Sequence, residues 1–136
     1  MKILTFNNDI QVMYVQAVSF PNGVMAAHEK LHSIVPHSTE RKYLGISRPE
    51  NGSIQYKAGA EVLKPGEAEQ YGLKTLVLPK GNYISVTIND YMKNIPAIGN
   101  TFQQLIAQPG IDPEGYCVEW YLNDKDVICM VRVAGK

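Results

Sequence analysis

Short apolar runs broken by Pro, Gly and Asn dominate this chain, so most of it reads as strands separated by two amphipathic helices. Ile10 to Phe20 is rich in Val, Tyr, Ile and Phe and closes at Pro21, Asn22 and Gly23, a strand and a turn. From Val24 to Val35 the residues Val24, Leu31 and Val35 share a helical face with His28, and Pro36 stops the helix. Lys42 to Ser47 and Ser53 to Val62 read as a hairpin around the turn-forming residues 48–52. After a polar connector over 64–72, Thr75 to Ile88 reads as strand and Ile95 to Ala107 as a helix with Ile98, Phe102, Leu105 and Ile106 on one face. Two strands, Tyr116 to Leu122 and Val127 to Val133, end the chain around a tight turn at 123–126.

Strand, helix and hairpin therefore occur twice, over about 8–63 and about 74–134, within a single domain spanning 1–136. The predicted fold class is α+β. Two pseudo-symmetric strand-helix-strand-strand repeats form one curved antiparallel sheet, with two helices on one face and a central ligand cleft on the other, partly open face.

Period-two alternation assigns residues to these faces. A two-residue turn at Asp124 and Lys125 sets Glu119 opposite Met130 and Cys117 opposite Arg132, and the two cysteines then point to opposite faces. Val118, Trp120, Leu122, Val127, Cys129, Val131 and Val133 lie under a helix, as do Leu44, Ile46, Ile84, Val86 and Ile88. The expected cleft face carries Tyr14, Gln16, Val18, Phe20, Tyr43, Gly45, Ser47, Tyr83, Ser85, Thr87, Cys117, Glu119, Tyr121, Ile128, Met130 and Arg132. Trp120 is expected beneath a helix, because Glu119 in that place would be a carboxylate desolvated among valines. Of the cleft face, Tyr14, Phe20, Tyr43, Tyr83, Glu119, Tyr121, Met130 and Arg132 are the candidate ligand-binding residues, since rings supply contact area and a few polar groups fix orientation.

Composition narrows the function classes. Thirteen Lys and Arg balance thirteen Asp and Glu without a basic run, so direct nucleic-acid binding is not expected. No apolar stretch approaches membrane length and no signal-peptide core opens the chain, so the expected address is the cytoplasm. Two cysteines outside any CxxC motif fit reduced thiols there. No cofactor or metal is expected, and the expected partner is a small hydrophobic or aromatic ligand.

One motif points elsewhere. His28, Glu29 and His32 spell HExxH on a helix, a spacing that in zinc hydrolases places two imidazoles on the metal and a glutamate beside its water. His37 falls at nine positions after His28 rather than ten, Pro36 intervenes, and the His28 face packs toward the sheet, so a zinc-dependent hydrolase ranks below a metal-free binder.

Three stretches, LPKGNYISVTINDYMKNIPAIGNTFQQLI (78–106), VEWYLND (118–124) and YKAGAEV (56–62), resemble the gyrase-inhibitor-like family, which also supplies effector-binding domains of AraC-type and MerR-type multidrug-responsive transcription regulators. The resemblance implies paired strand-helix-strand-strand modules around a groove that takes hydrophobic, often aromatic or cationic compounds, with Glu119 and Tyr121 matching its motif. Ile128 stands where many relatives carry a glutamate and Arg132 near a usual proline, which weakens the case for cations. With no helix-turn-helix ahead of the first strand, the resemblance implies a stand-alone effector-binding or sequestering protein, or alternatively a hydrolase using Glu119 as general base.

Overall fold

The computed structural model describes residues 1–134. In chain order the elements are β1 (Lys2–Phe6), β2 (Ile10–Gln16), α1 (Val24–Ile34), β3 (Tyr43–Glu50), β4 (Ser53–Glu61), α2 (Glu67–Gln70), β5 (Lys74–Leu78), β6 (Gly81–Ile88), a 3-10 turn (Tyr91–Lys93), α3 (Pro96–Ile106), β7 (Cys117–Tyr121) and β8 (Val127–Arg132). The fold is α+β, and the eight strands form one antiparallel sheet in the order β1-β6-β8-β7-β3-β4-β2-β5. No helix among the described residues is long and apolar enough to cross a membrane.

That order is symmetric about the β7–β3 pair, and each repeat lends its first strand to the other: β1 pairs with β6 and β5 with β2. No pattern in the sequence marks β1, because its five residues follow Met1 without any turn signal before them. The expected single strand over 75–88 is two, broken at Pro79 and Lys80, where Lys80 N–H bonds Asp9 Oδ1 (2.8 Å) instead of a ladder partner.

The exchange forces the sheet to curl. β1 and β2 lie six strand spacings apart, roughly 29 Å in a flat sheet. Residues 7–9 are the whole connection between them, and four extended steps reach only about 14 Å. The β5–β6 link, Pro79 and Lys80, spans the same separation with less chain. Both edges therefore come together, and Leu4 and Phe6 of β1 share a cluster with Leu76 and Leu78 of β5. The concave, helix-free face is thereby filled with Ile10, Val12, Leu44, Ile46, Tyr83, Val118, Ile128 and Met130, where the sequence pattern suggested a partly open surface.

On the convex face α1 packs on β2 and β4 through Ala27, Leu31 and Val35, and α3 packs on β6 and β8 through Ile98, Phe102 and Leu105. Ile106, expected on that buried stripe, is exposed. The central strands β3 and β7 lie between the two helices and form the floor of a groove on the pseudo-symmetry axis.

The parity of these two central strands is the reverse of the expected one. In β7 and β8 Glu119 faces Cys129 and Cys117 faces Val131, one residue out of the expected register. Asn123 is the cause: its Oδ1 accepts the N–H groups of Lys125 (2.7 Å) and Asp126 (2.9 Å), and Leu122 N–H bonds Asp126 O (3.0 Å), which makes a three-residue loop. Cys117, Glu119 and Tyr121 accordingly share the helix side with Val127, Cys129 and Val131. Both cysteines are thus on one face, as free thiols. Trp120, half-buried, sits not beneath a helix but on the concave side, with Phe6 at 6.2 Å and Lys42 over its ring at 5.1 Å. In β3, Leu44 and Ile46 fill the concave interior while Tyr43, Gly45 and Ser47 turn to the groove.

Candidate functional site

At the centre of the groove floor Glu119 of β7 stands beside Gly45 of β3. Tyr56 on β4, one strand further out, is only 1% exposed, and its ring leans across β3 so that its hydroxyl donates to Glu119 Oε1 at 3.1 Å. Gly45 permits this: a Cβ there would overlap the Tyr56 hydroxyl and lie 2.8 Å from Glu119 Oε1. Tyr121, two residues along β7, donates to the same oxygen, and the two phenols are 3.4 Å apart. His28 descends from α1, its Nε2 2.8 Å from the Tyr56 hydroxyl and its ring edge-on to Tyr121 at 5.4 Å. Because that hydroxyl already donates to the carboxylate, His28 is assigned the Nε2–H tautomer and donates to it. Phe20 stacks on Tyr56 (5.9 Å) at the mouth, and Tyr91 flanks Tyr121 (5.6 Å) from the other wall.

Glu119 is 9% exposed and belongs to none of the ion pairs among the described residues. Burial pushes its carboxyl above the usual range, against the opposing effect of the hydrogen bonds from Tyr121 and Tyr56. Burial likewise raises both tyrosines, each further raised by the Glu119 charge. The Cys117 and Cys129 thiols are pushed up to about 11 and about 12, mainly by burial and then by Glu119, so neither is a ready nucleophile. His28 is lowered to about 4, by burial first and by His32 second, and is neutral at pH 7.

The lowered His28 value sets a pH dependence. Between about 4 and its ordinary 6.5 the native state holds fewer protons than the unfolded chain, so this contribution is complete above 6.5 and is lost as pH falls toward 4. The span corresponds to roughly 2–3 kcal/mol after allowance for partial exposure. In urea denaturation at pH 7 and pH 4, His28→Gln is expected to narrow the gap in midpoint; an unchanged gap would refute the assignment.

Of the residues expected to line one cleft, Phe20, Tyr43, Glu119 and Tyr121 share the groove side. Tyr43 points away from Glu119: its hydroxyl accepts Ser38 N–H (2.9 Å) and its ring lies beside His32 (5.0 Å) and His37 (5.5 Å). Tyr83 and Met130 are buried in the concave interior, the Tyr83 hydroxyl donating to Pro79 O (2.8 Å). Tyr14 lies on that same side of the sheet under Lys57 (5.4 Å to the ring). Arg132 is held at the end of the half-barrel by Asp112 (3.3 Å) and Lys80 O (3.0 Å). Of the rival HExxH motif, His28 is engaged with Tyr56, His32 with Tyr43, and Glu29 is exposed. Among the described residues no three His, Cys, Asp or Glu side chains are grouped to hold one metal ion.

Tyr56, Gly45, His28 and Tyr91 complete the site without having been singled out for it. The usable signal was in β4, where Tyr56, Ala58 and Ala60 share one face and the small alanines admit a helix. Two hollows open elsewhere, ≈ 390 Å³ beside α2 and β5 and ≈ 300 Å³ at the end of the half-barrel. The arginines of the second are committed to Glu50, Asp112 and backbone carbonyls. Chemistry singles out the groove: among the described residues, it alone pairs a buried carboxyl lacking a cation with converging phenols.

The sequence matches no known family model, and no curated protein sequence matches it. In structure the chain is similar to an integron cassette protein from the mobile metagenome of Vibrio cholerae, with a TM-score of 0.70 and 14% identity over 97% of this chain and 94% of that one. It is also similar to a hydrolase from Listeria innocua, with a TM-score of 0.57 and 9% identity over 97% and 90% of the two chains. At these identities the likeness establishes a shared fold: a curved sheet carrying two helices.

Proposed function

We propose that this protein is a small-molecule-binding domain of the gyrase-inhibitor-like kind, which takes flat, largely apolar aromatic compounds into the groove between α1 and α3. The observation that carries this reading is Glu119: a buried carboxyl with no cation partner among the described residues, held by Tyr56 and Tyr121 and walled by Phe20, His28 and Tyr91. Rings give area without much entropy cost, and the carboxyl fixes orientation. An effector-binding or sequestering role in a reducing cytoplasm is consistent with the two free thiols. A broad panel of dyes and aromatic drugs tests the reading by thermal shift. A true ligand at a hundred times its Kd adds about 2.7 kcal/mol, raising Tm by roughly 10 °C; a panel without any stabilising member would count against binding.

The chain His28–Tyr56–Glu119–Tyr121 favours hydrolysis as a second reading, with Glu119 as general base on a water in the groove. The Listeria innocua neighbour is described as a hydrolase, which is compatible with this chemistry on the same fold. Prolonged incubation of any ligand found, followed by product analysis, separates the two: a hydrolase yields products that Glu119→Gln does not, whereas intact ligand throughout leaves a binder.

A further inference from the structure

The two oxygens of Glu119 are not equivalent. Oε1 accepts from both Tyr56 and Tyr121, while Oε2 has no hydrogen-bond partner among the described residues. Only Arg41 Nε among those residues is both unpartnered and sealed from solvent, so Oε2 keeps an opening toward the groove. With Oε1 saturated by donors, a proton on the carboxyl resides on Oε2, and Oε2–H then points a donor at whatever occupies the groove.

Resting on the binding reading above, we propose that the groove selects flat aromatic molecules that present an uncharged hydrogen-bond acceptor, a carbonyl above all, to Oε2 of Glu119. Among the described residues the surroundings supply no positive charge. The titratable groups that face Glu119 are His28 from α1, Tyr56 from β4, Cys117 and Tyr121 from β7, Cys129 from β8 and Tyr91 from the 3-10 turn. His28 is neutral at pH 7 and the others are neutral as acids, so nothing among them stabilises an ionised carboxylate except the two phenol hydrogen bonds, and burial outweighs these. A protonated Glu119 completes the network: two phenols donate inward to Oε1, and one donor remains for the ligand. Gly45 contributes by leaving room for the Tyr56 hydroxyl over the carboxyl, so that one oxygen is occupied by the phenols and the other is left for the groove.

Two fluorescent three-ring probes of matched size, acridone with its neutral carbonyl and 9-aminoacridine with its positive charge at neutral pH, distinguish the alternatives. Fluorescence titration of the full chain at low and at high pH is expected to give acridone binding that weakens about tenfold as the donor is lost on raising the pH, a change the size of one hydrogen bond to a buried group. Glu119→Gln, whose amide donates at every pH, is expected to flatten that dependence, and the wild-type comparison stands even if the variant folds poorly. Tighter 9-aminoacridine binding that strengthens with pH would overturn the proposal and leave the groove a binding site for cations. If neither probe binds at either pH, the binding reading itself fails, and this inference with it.

Discussion

Glu67→Ala is expected to lower the unfolding free energy by about 3–5 kcal/mol, the cost of leaving one member of a buried ion pair without its partner. Arg41 and Glu67 are nearly sealed from solvent and meet through two parallel bonds, Nη1 to Oε1 (3.0 Å) and Nη2 to Oε2 (2.8 Å). The guanidinium also holds Glu61 O (2.8 Å), and Glu67 Oε1 accepts Leu63 N–H (2.8 Å). The pair thus ties the start of β3 to the end of β4 and to α2, just before the exchanged strand β5. Urea denaturation at pH 7 measures the loss. The double change Arg41→Met with Glu67→Leu is expected to recover most of it, since removing both charges eliminates the desolvation cost as well as the attraction. A single variant within about 1 kcal/mol of wild type would mean that water reaches Arg41 and the pair is not buried in solution.

How much of this was legible in the sequence depends on which layer covers each strand. Alternation correctly placed Ile84, Val86, Ile88, Val127, Cys129 and Val131 under α3, because β6 and β8 do lie beneath that helix. The same rule placed Leu44, Ile46, Val118 and Trp120 under a helix, yet β3 and β7 have no helix above them. Their apolar residues fill the concave interior instead, which demands apolar side chains as strongly as a helix contact does. Alternation reports that one face is buried without saying by what. The missing information was the strand exchange: five residues at the N-terminus and a break at Pro79 curl the sheet, and neither leaves a periodic signal.

The site followed the same logic. Glu119 and Tyr121 do share one face, as alternation expects, but it is the opposite face of the sheet, because Asn123 lengthens the last turn by one residue. A carboxylate among valines beneath a helix would be desolvated without a partner, and the structure avoids this in another way. Glu119 is on the helix side of the sheet, between the two helices rather than under either, with Gly45 and two phenols as neighbours. Tyr56 belongs to the first repeat and Glu119 to the second, so their meeting is a long-range contact that local pattern cannot anticipate.

Gly45→Ala is expected to cost roughly 2–6 kcal/mol, the sum of an overpacking penalty of about 1–3 kcal/mol and a lost buried hydrogen bond of about 1–3 kcal/mol. The added methyl competes for the space of the Tyr56 hydroxyl, and that ring has little room to yield: it is 1% exposed, stacked by Phe20 and bonded to His28. Displacing it leaves Glu119 with Tyr121 as its only donor on Oε1 among the described residues. Because the Tyr56 hydrogen bond favours the charged carboxylate, its loss moves the Glu119 pKa further up, which carbon-13 NMR of the glutamate carboxyl across pH reads directly. Tyr56→Phe provides the comparison, since it deletes the donor without adding volume. It is expected to raise the Glu119 pKa in the same direction while costing less stability than Gly45→Ala. Equal melting temperatures and superimposable glutamate titrations for Gly45→Ala and wild type would show that Tyr56 does not cross β3 in solution, and the floor of the groove would then have to be rebuilt around Tyr121 alone.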